Sequence, residues 1–129
     1  MAGEKILIVE DNKMNLMLIT DLLEFAGYTV LQAMDAEDAV QSVKNEPPDL
    51  ILMDIALPGM NGLSLTRLLK KNPITKNIPV IALTAYAMKG DKEKILAAGC
   101  VGHIVKPISV KNFAKIVAHY VEQCGCSKK

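Results

Sequence analysis

The stretch Pro48-Asp49-Leu50-Ile51-Leu52-Met53-Asp54-Ile55-Ala56-Leu57-Pro58-Gly59-Met60-Asn61-Gly62 decides the fold. Leu50 to Met53 form a run of apolar residues, the pattern of a strand buried on both faces. Asp54 follows at once, at the carboxyl end of that strand. Pro58-Gly59 and Asn61-Gly62 are turn signals, so the loop behind Asp54 is tight. A carboxylate in that position packs poorly, yet it suits a strand that ends at a ligand crevice. A role as helix cap or turn residue fits less well, because the next helix starts only after Asn61-Gly62.

Working outward, the same grammar repeats. Ile6 to Val9 is an apolar run followed by Glu10-Asp11-Asn12. Met14 to Ala26 has helical periodicity, with Leu18, Ile19, Leu22, Leu23 and Ala26 on one face, and Gly27 suits its stop. Tyr28 to Ala33 reads as a strand, and Asp35 caps a helix running to about Lys44. After the central stretch come a helix from Leu63 to Lys71, a strand from Ile78 to Leu83 closed by Thr84, and a helix from Met88 to Ala98. A strand from Val101 to Val105 ends in Lys106-Pro107. Ser109 is expected to cap a last helix with the stripe Phe113, Ile116, Val117, Tyr120 and Val121. Five strands alternating with five helices demand parallel strands joined by helical crossovers, so helices cover both faces of one open sheet.

The chain has 129 residues, half of them hydrophobic, enough for one domain with a substantial core. We expect that domain to span residues 1–123, with 124–129 a flexible tail. The net charge of +1 and the scarcity of aromatics argue against direct nucleic-acid binding. No apolar run approaches the roughly 20 residues needed to span a bilayer, and Met1 to Lys5 carry no signal-peptide pattern, so membrane insertion is not expected and the cytoplasm is the default location. Three cysteines make no disulfide framework; Cys100 reads as a core residue, and Cys124-Gly125-Cys126 lacks a second Cys/His pair to complete a metal site.

In a parallel sheet the carboxyl ends of the strands lie on one edge. Strand one brings Glu10 and Asp11 there, strand three Asp54, strand four Thr84 and strand five Lys106. Taken singly each has a plain reading: a solvated loop, a helix cap, an exposed lysine. Their common placement is what that reading explains poorly. Clustered carboxylates repel one another unless a cation joins them. A few hard oxygen ligands suit Mg²⁺, which shares its shell with water and phosphate. A lysine alongside holds a phosphate oxygen as a point charge. Those parts suit phosphoryl transfer, in which a carboxylate attacks phosphorus and the protein supplies position and charge neutralisation.

These motifs resemble the receiver domain of a two-component response regulator, of the stand-alone kind, over about residues 4 to 122. The resemblance rests on Glu10-Asp11-Asn12, the stretch from Met53 to Gly62, Leu83-Thr84-Ala85 and Val105-Lys106-Pro107. It implies a flavodoxin-like sheet of order 2-1-3-4-5 and phosphorylation of Asp54 by a histidine kinase or a phosphotransfer protein. It also implies Mg²⁺ held by Glu10, Asp11, Asp54 and the backbone carbonyl of Ala56. Thr84 would be the switch hydroxyl, Lys106 the phosphate-contacting lysine and Pro107 a cis-proline. His103 stands where the family usually has Tyr or Phe. It is either an exposed strand residue or a ring that turns inward on activation.

The expected activity is phosphorylation-controlled binding of a downstream protein by a monomer or weak dimer, with no enzyme chemistry beyond its own phosphorylation and dephosphorylation. A phosphorelay intermediate is the nearest alternative. A haloacid-dehalogenase-type phosphatase would need an acid where Ala56 stands, and a flavodoxin-like electron carrier would meet Glu10-Asp11 where its flavin phosphate belongs. Met14 and Met17 fall outside the main apolar face of the first helix. With Ile108 they are the expected docking surface for the phosphoryl donor.

Overall fold

A computed structural model describes residues 4–57, 59, 61–85, 89–106 and 109–124, with backbone alone for 89–91 and 124. Strands β1 (Lys5–Val9), β2 (Thr29–Ala33), β3 (Leu50–Asp54), β4 (Val80–Thr84) and β5 (Gly102–Val105) alternate with helices α1 (Lys13–Phe25), α2 (Ala36–Asn45), α3 (Gly62–Lys71), α4 (Lys89–Ala97) and α5 (Phe113–Cys124). The strands form one parallel sheet in the order β2-β1-β3-β4-β5. That is the expected doubly wound architecture.

Successive strand residues face opposite sides, and this alternation splits the core in two. Leu7, Val9, Ile51, Met53, Val80 and Ala82 pack with residues of α2, α3 and α4. Ile6, Ile8, Leu50, Leu52, Ile81 and Leu83 pack with α1 and α5. Every residue of β3 and β4 is buried, so the apolar runs are continuous rather than alternating. Cys100 lies in this core as expected. No helix among the described residues is long and apolar enough to cross a membrane.

Side-chain caps set the helix starts. The carboxyl or amide oxygens of Asn12, Asp35 and Asn61 accept the amides of Asn15 (3.0 Å), Asp38 (2.8 Å) and Leu63 (2.7 Å) respectively. Gly27, at φ 100°, takes the left-handed turn that ends α1.

The structure corrects several boundaries. The buried stripe of α1 is Leu16, Ile19 and Leu23; Leu18 and Leu22 lie at its margins and Ala26 is exposed at the C-cap. β4 starts at Val80, not Ile78. The Pro79 carbonyl does accept the Ile51 amide (2.9 Å), but proline has no N–H to continue the ladder. Ser109 makes the bonds of a helix cap, as expected: its carbonyl accepts the Phe113 amide at 2.8 Å and its hydroxyl the Asn112 amide at 3.4 Å, although the regular helix α5 starts only at Phe113, after a turn over 110–112. The stripe of α5 is as read, with Phe113, Val117 and Val121 buried. That helix runs to Cys124, and residues 125–129 of the expected tail lie outside the described residues.

Candidate functional site

The carboxyl ends of β1, β3, β4 and β5 meet at one edge. Glu10 leaves β1 with its amide tied to the Ala33 carbonyl at the end of β2 (3.0 Å). Its side chain is buried, whereas that of Asp11 is exposed. Asp54 is itself the last residue of β3 and is buried; its Oδ1 accepts the Ala56 amide at 3.0 Å. Thr84 ends β4, also buried, and its carbonyl accepts the Lys106 amide at 2.7 Å. The Lys106 ammonium donates to Asp54 Oδ2 at 3.3 Å and stands 3.1 Å from Glu10 Oε1. One cation thus bridges two buried acids from two different strands.

Glu10 Oε2 accepts the Asn12 amide at 3.2 Å. Glu10 Oε1 is fully shielded and meets Lys106 only as an ion pair, without the angle of a hydrogen bond. Burial raises the pKa of Glu10, and the neighbouring Asp54 raises it further against the opposing pull of Lys106. Burial works against the Lys106 ammonium, yet Glu10 and Asp54 outweigh it and hold the lysine pKa above its ordinary value. Ligand oxygens of Glu10, Asp11 and Asp54 all lie within 4.8 Å of one another. A shielded carboxylate oxygen lacking a hydrogen bond, amid three converging acids, fits a small hard cation.

Gly62 is a residue whose importance the turn signal alone understated. A Cβ there would lie 2.1 Å from the Asp54 carbonyl oxygen. Its amide donates to the Ile55 carbonyl at 2.8 Å and its own carbonyl accepts the Thr66 hydroxyl at 2.9 Å. The first turn of α3 therefore packs directly on the peptide that carries Asp54, an approach only glycine allows.

His103 is half-buried on β5, paired in register with Ala82. Ala82 and Thr84 face the α2–α3–α4 layer, and Ile104 faces the other, so alternation puts His103 on the same side of the sheet as Thr84. Met14 and Met17 are 81% and 63% exposed on α1. Pro107, Ile108 and the 86–88 segment after Thr84 lie outside the described residues.

A three-acid, one-lysine edge on a 2-1-3-4-5 sheet is matched by a family model, response regulator receiver domain, over residues 6–118. The chain belongs to the response regulator receiver family. This receiver is 44% identical over 118 residues to the polar-differentiation response regulator DivK of Brucella anthropi, covering 92% of this chain and 96% of that one. Its fold superposes with a TM-score of 0.83 on the receiver domain of a sensor histidine kinase from Pseudomonas aeruginosa PAO1, at 37% identity and with 94% and 99% of the two chains covered. That structure has a magnesium ion coordinated in its active-site cleft. The chemotaxis response regulator CheY4 of Vibrio cholerae matches with a TM-score of 0.86 at 25% identity, over 92% and 98% of the chains. The receiver is thus a two-component signalling protein, with the flavodoxin-like topology read from its motifs.

Proposed function

We propose that this receiver is switched by phosphorylation of Asp54, with a histidine kinase or a phosphotransfer protein as donor. The observation that carries the reading is the Asp54 carboxylate, buried at the end of the central strand with Lys106 on one oxygen and the Ala56 amide on the other. A carboxylate oxygen of Asp54 attacks phosphorus, the bond from phosphorus to the donor breaks, and an acyl phosphate forms. Lys106, already drawn to this point by two carboxylates, offsets the charge of the incoming phosphoryl group. Hydrolysis of the acyl phosphate returns the carboxylate, so the protein's chemistry begins and ends on its own side chain.

Glu10, Asp11 and Asp54, with the Ala56 carbonyl, would hold Mg²⁺, which when bound neutralises charge on the phosphoryl oxygens. The magnesium ion in the cleft of the Pseudomonas receiver supports this assignment.

The output begins at Thr84. In this reading its hydroxyl turns to a phosphoryl oxygen on Asp54, and the segment that follows moves with it. His103, on the same face of the sheet, is the ring available to fill the space beneath. A two-state element biased by charge at Asp54 is the physical content of such a switch. The phosphoryl donor docks on Met14 and Met17, joined by Ile108, which follows Lys106-Pro107 in the sequence; exposed methionines adapt to a helical partner.

Labelling with acetyl phosphate and Mg²⁺ tests the reading. The wild-type protein should be labelled and the Asp54→Asn variant should not; full labelling of the variant would refute the assignment.

A further inference from the structure

Besides the acid–lysine cluster, the surface carries two apolar features flanked by opposite charge. The first is a groove of about 550 Å³ between α2 and α3. Val40, Leu65 and Leu68 line it together with Asp35 and Glu37, and among the described residues no lysine or arginine does. Leu68 is 50% exposed there, so the groove presents an aliphatic surface beside two acids.

The second is Ile74, 82% exposed in the turn between α3 and β4, with Lys71 and Lys76 exposed on either side of it in sequence. This exposure does not come from a loose loop. Asn72 Oδ1 accepts the Ile74 amide at 2.9 Å, and the Asn72 carbonyl accepts the amides of Thr75 and Lys76 at 3.0 and 2.8 Å. The buried Thr75 hydroxyl donates to the Leu69 carbonyl, and Pro73 restricts the backbone just before the isoleucine. Ile74 is an apolar knob held in place by its own fold, so little ordering entropy is lost when it is covered.

We propose that Ile74 of one copy of this chain seats in the α2–α3 groove of a second copy, with Lys71 and Lys76 facing Asp35 and Glu37. At about 550 Å³ the groove admits an aliphatic side chain with room for the lysine stems beside it, its acids are opposite in charge to the lysines that flank the knob in sequence, and both halves of the contact are preformed. The knob of one copy enters the groove of the next without a reciprocal contact, a heterologous arrangement. A single knob makes a small interface, at the weak end of specific protein contacts. Association is therefore confined to high protein concentration and is reduced by salt, which screens the lysine–carboxylate attraction. The inference stands apart from the phosphoryl reading, since neither surface includes Glu10, Asp11, Asp54 or Lys106.

Sedimentation equilibrium of the full chain, from about 10 μM to about 1 mM, tests it. The average mass of the wild-type protein should rise with concentration and fall back on adding salt. Ile74→Gln, which removes the knob, and Leu68→Gln, which spoils the groove, should each weaken association about tenfold or more. Both positions are exposed, and thermal melts verify that the variants fold; Glu37→Lys gives a second, charge-reversing lesion in the groove. An equimolar mixture of Ile74→Gln and Leu68→Gln should recover association as a one-to-one pair, because each supplies the half the other lacks. A wild-type protein that stays monomeric throughout would overturn the proposal, even if its groove captured an isoleucine–lysine peptide. So would association that survives either substitution, or a mixture that remains monomeric.

Discussion

The Lys106 ammonium stands 3.3 Å from Asp54 Oδ2, although β4 lies between the two strands these residues end. The contact spans a neighbouring strand because Lys106 leaves β5 at the sheet edge and turns back over it. It makes the edge a single electrostatic unit: acids from β1 and β3 and a cation from β5. Several consequences can be measured.

The acid cluster should bind Mg²⁺ and be stabilised by it. Binding to the folded state alone adds about 2.7 kcal/mol when the ion is at a hundred times its Kd. Thermal melts with and without Mg²⁺ should show a clear rise in Tm for the wild-type protein. Asp11→Ala removes the one acid of the three that faces solvent and should remove most of that rise. An unchanged rise would place the ion elsewhere.

Glu10 should carry a cost in the metal-free protein that depends on pH. Its folded pKa is raised above the ordinary value of 4.5, first by burial and then by Asp54. Below the unfolded pKa the group is protonated in both states and no cost appears. As pH rises from the unfolded value towards the folded one, the open chain gives up its proton while the fold still holds it, and stability is lost until both are ionised. In EDTA, Glu10→Gln should therefore match the wild-type Tm in acid and exceed it at neutral pH. With Mg²⁺ the order should reverse. A neutral-pH Tm in EDTA that falls on this substitution would show that the Lys106 pair outweighs the burial.

Gly62→Ala should be costly out of proportion to one methyl group. The added Cβ would meet the backbone oxygen of Asp54, which no rotamer change can move aside. A loss of about 1–3 kcal/mol is the expected scale for forced overpacking. It would be read from the urea midpoint with the slope unchanged. The same variant should lose Mg²⁺ affinity, since the peptide being pushed carries Asp54.

Met17→Lys should separate docking from chemistry. Its side chain is 63% exposed on α1 and makes no part of the core. Transfer from a protein donor should slow by about tenfold or more, the scale of one lost interface anchor. Labelling by acetyl phosphate, which needs no docking surface, should keep its rate. Equal slowing with both donors would point to damage at the site.

Much of this edge was legible before any coordinates, for a topological reason. Parallel strands put their carboxyl ends together, so Glu10, Asp54, Thr84 and Lys106 could be grouped from strand position alone. What strand position cannot convey is depth: Glu10 and Asp11 are adjacent, yet one is buried and the other exposed. Helical periodicity also blurs at the margins. Leu18 and Leu16 both fit an amphipathic reading of α1, and packing in the core with β1 and α5 buries Leu16 and leaves Leu18 half-buried. Ser109 makes the capping bonds its side chain suggests, but the turn over 110–112 that delays the regular helix to Phe113 leaves no mark in the pattern. Gly62 read as a turn residue, because a close approach to Asp54 depends on how α3 docks and leaves no mark in composition. The α2–α3 groove was invisible for the same reason; the Ile74 knob is made by a local turn, and an apolar residue in a turn gives no sign in the pattern of how far it is exposed.

The central claim is that Asp54 forms the acyl phosphate. The most direct measurement is to phosphorylate the wild-type protein with acetyl phosphate and Mg²⁺, reduce it with borohydride, and map the reduced residue by peptide mass spectrometry. An acyl phosphate is reduced to the alcohol, so the expected result is homoserine in place of aspartate at position 54 and at no other acid. Reduction found at Glu10 or Asp11 instead, or no reduced acid at all in a protein that has taken up phosphate, would contradict the account.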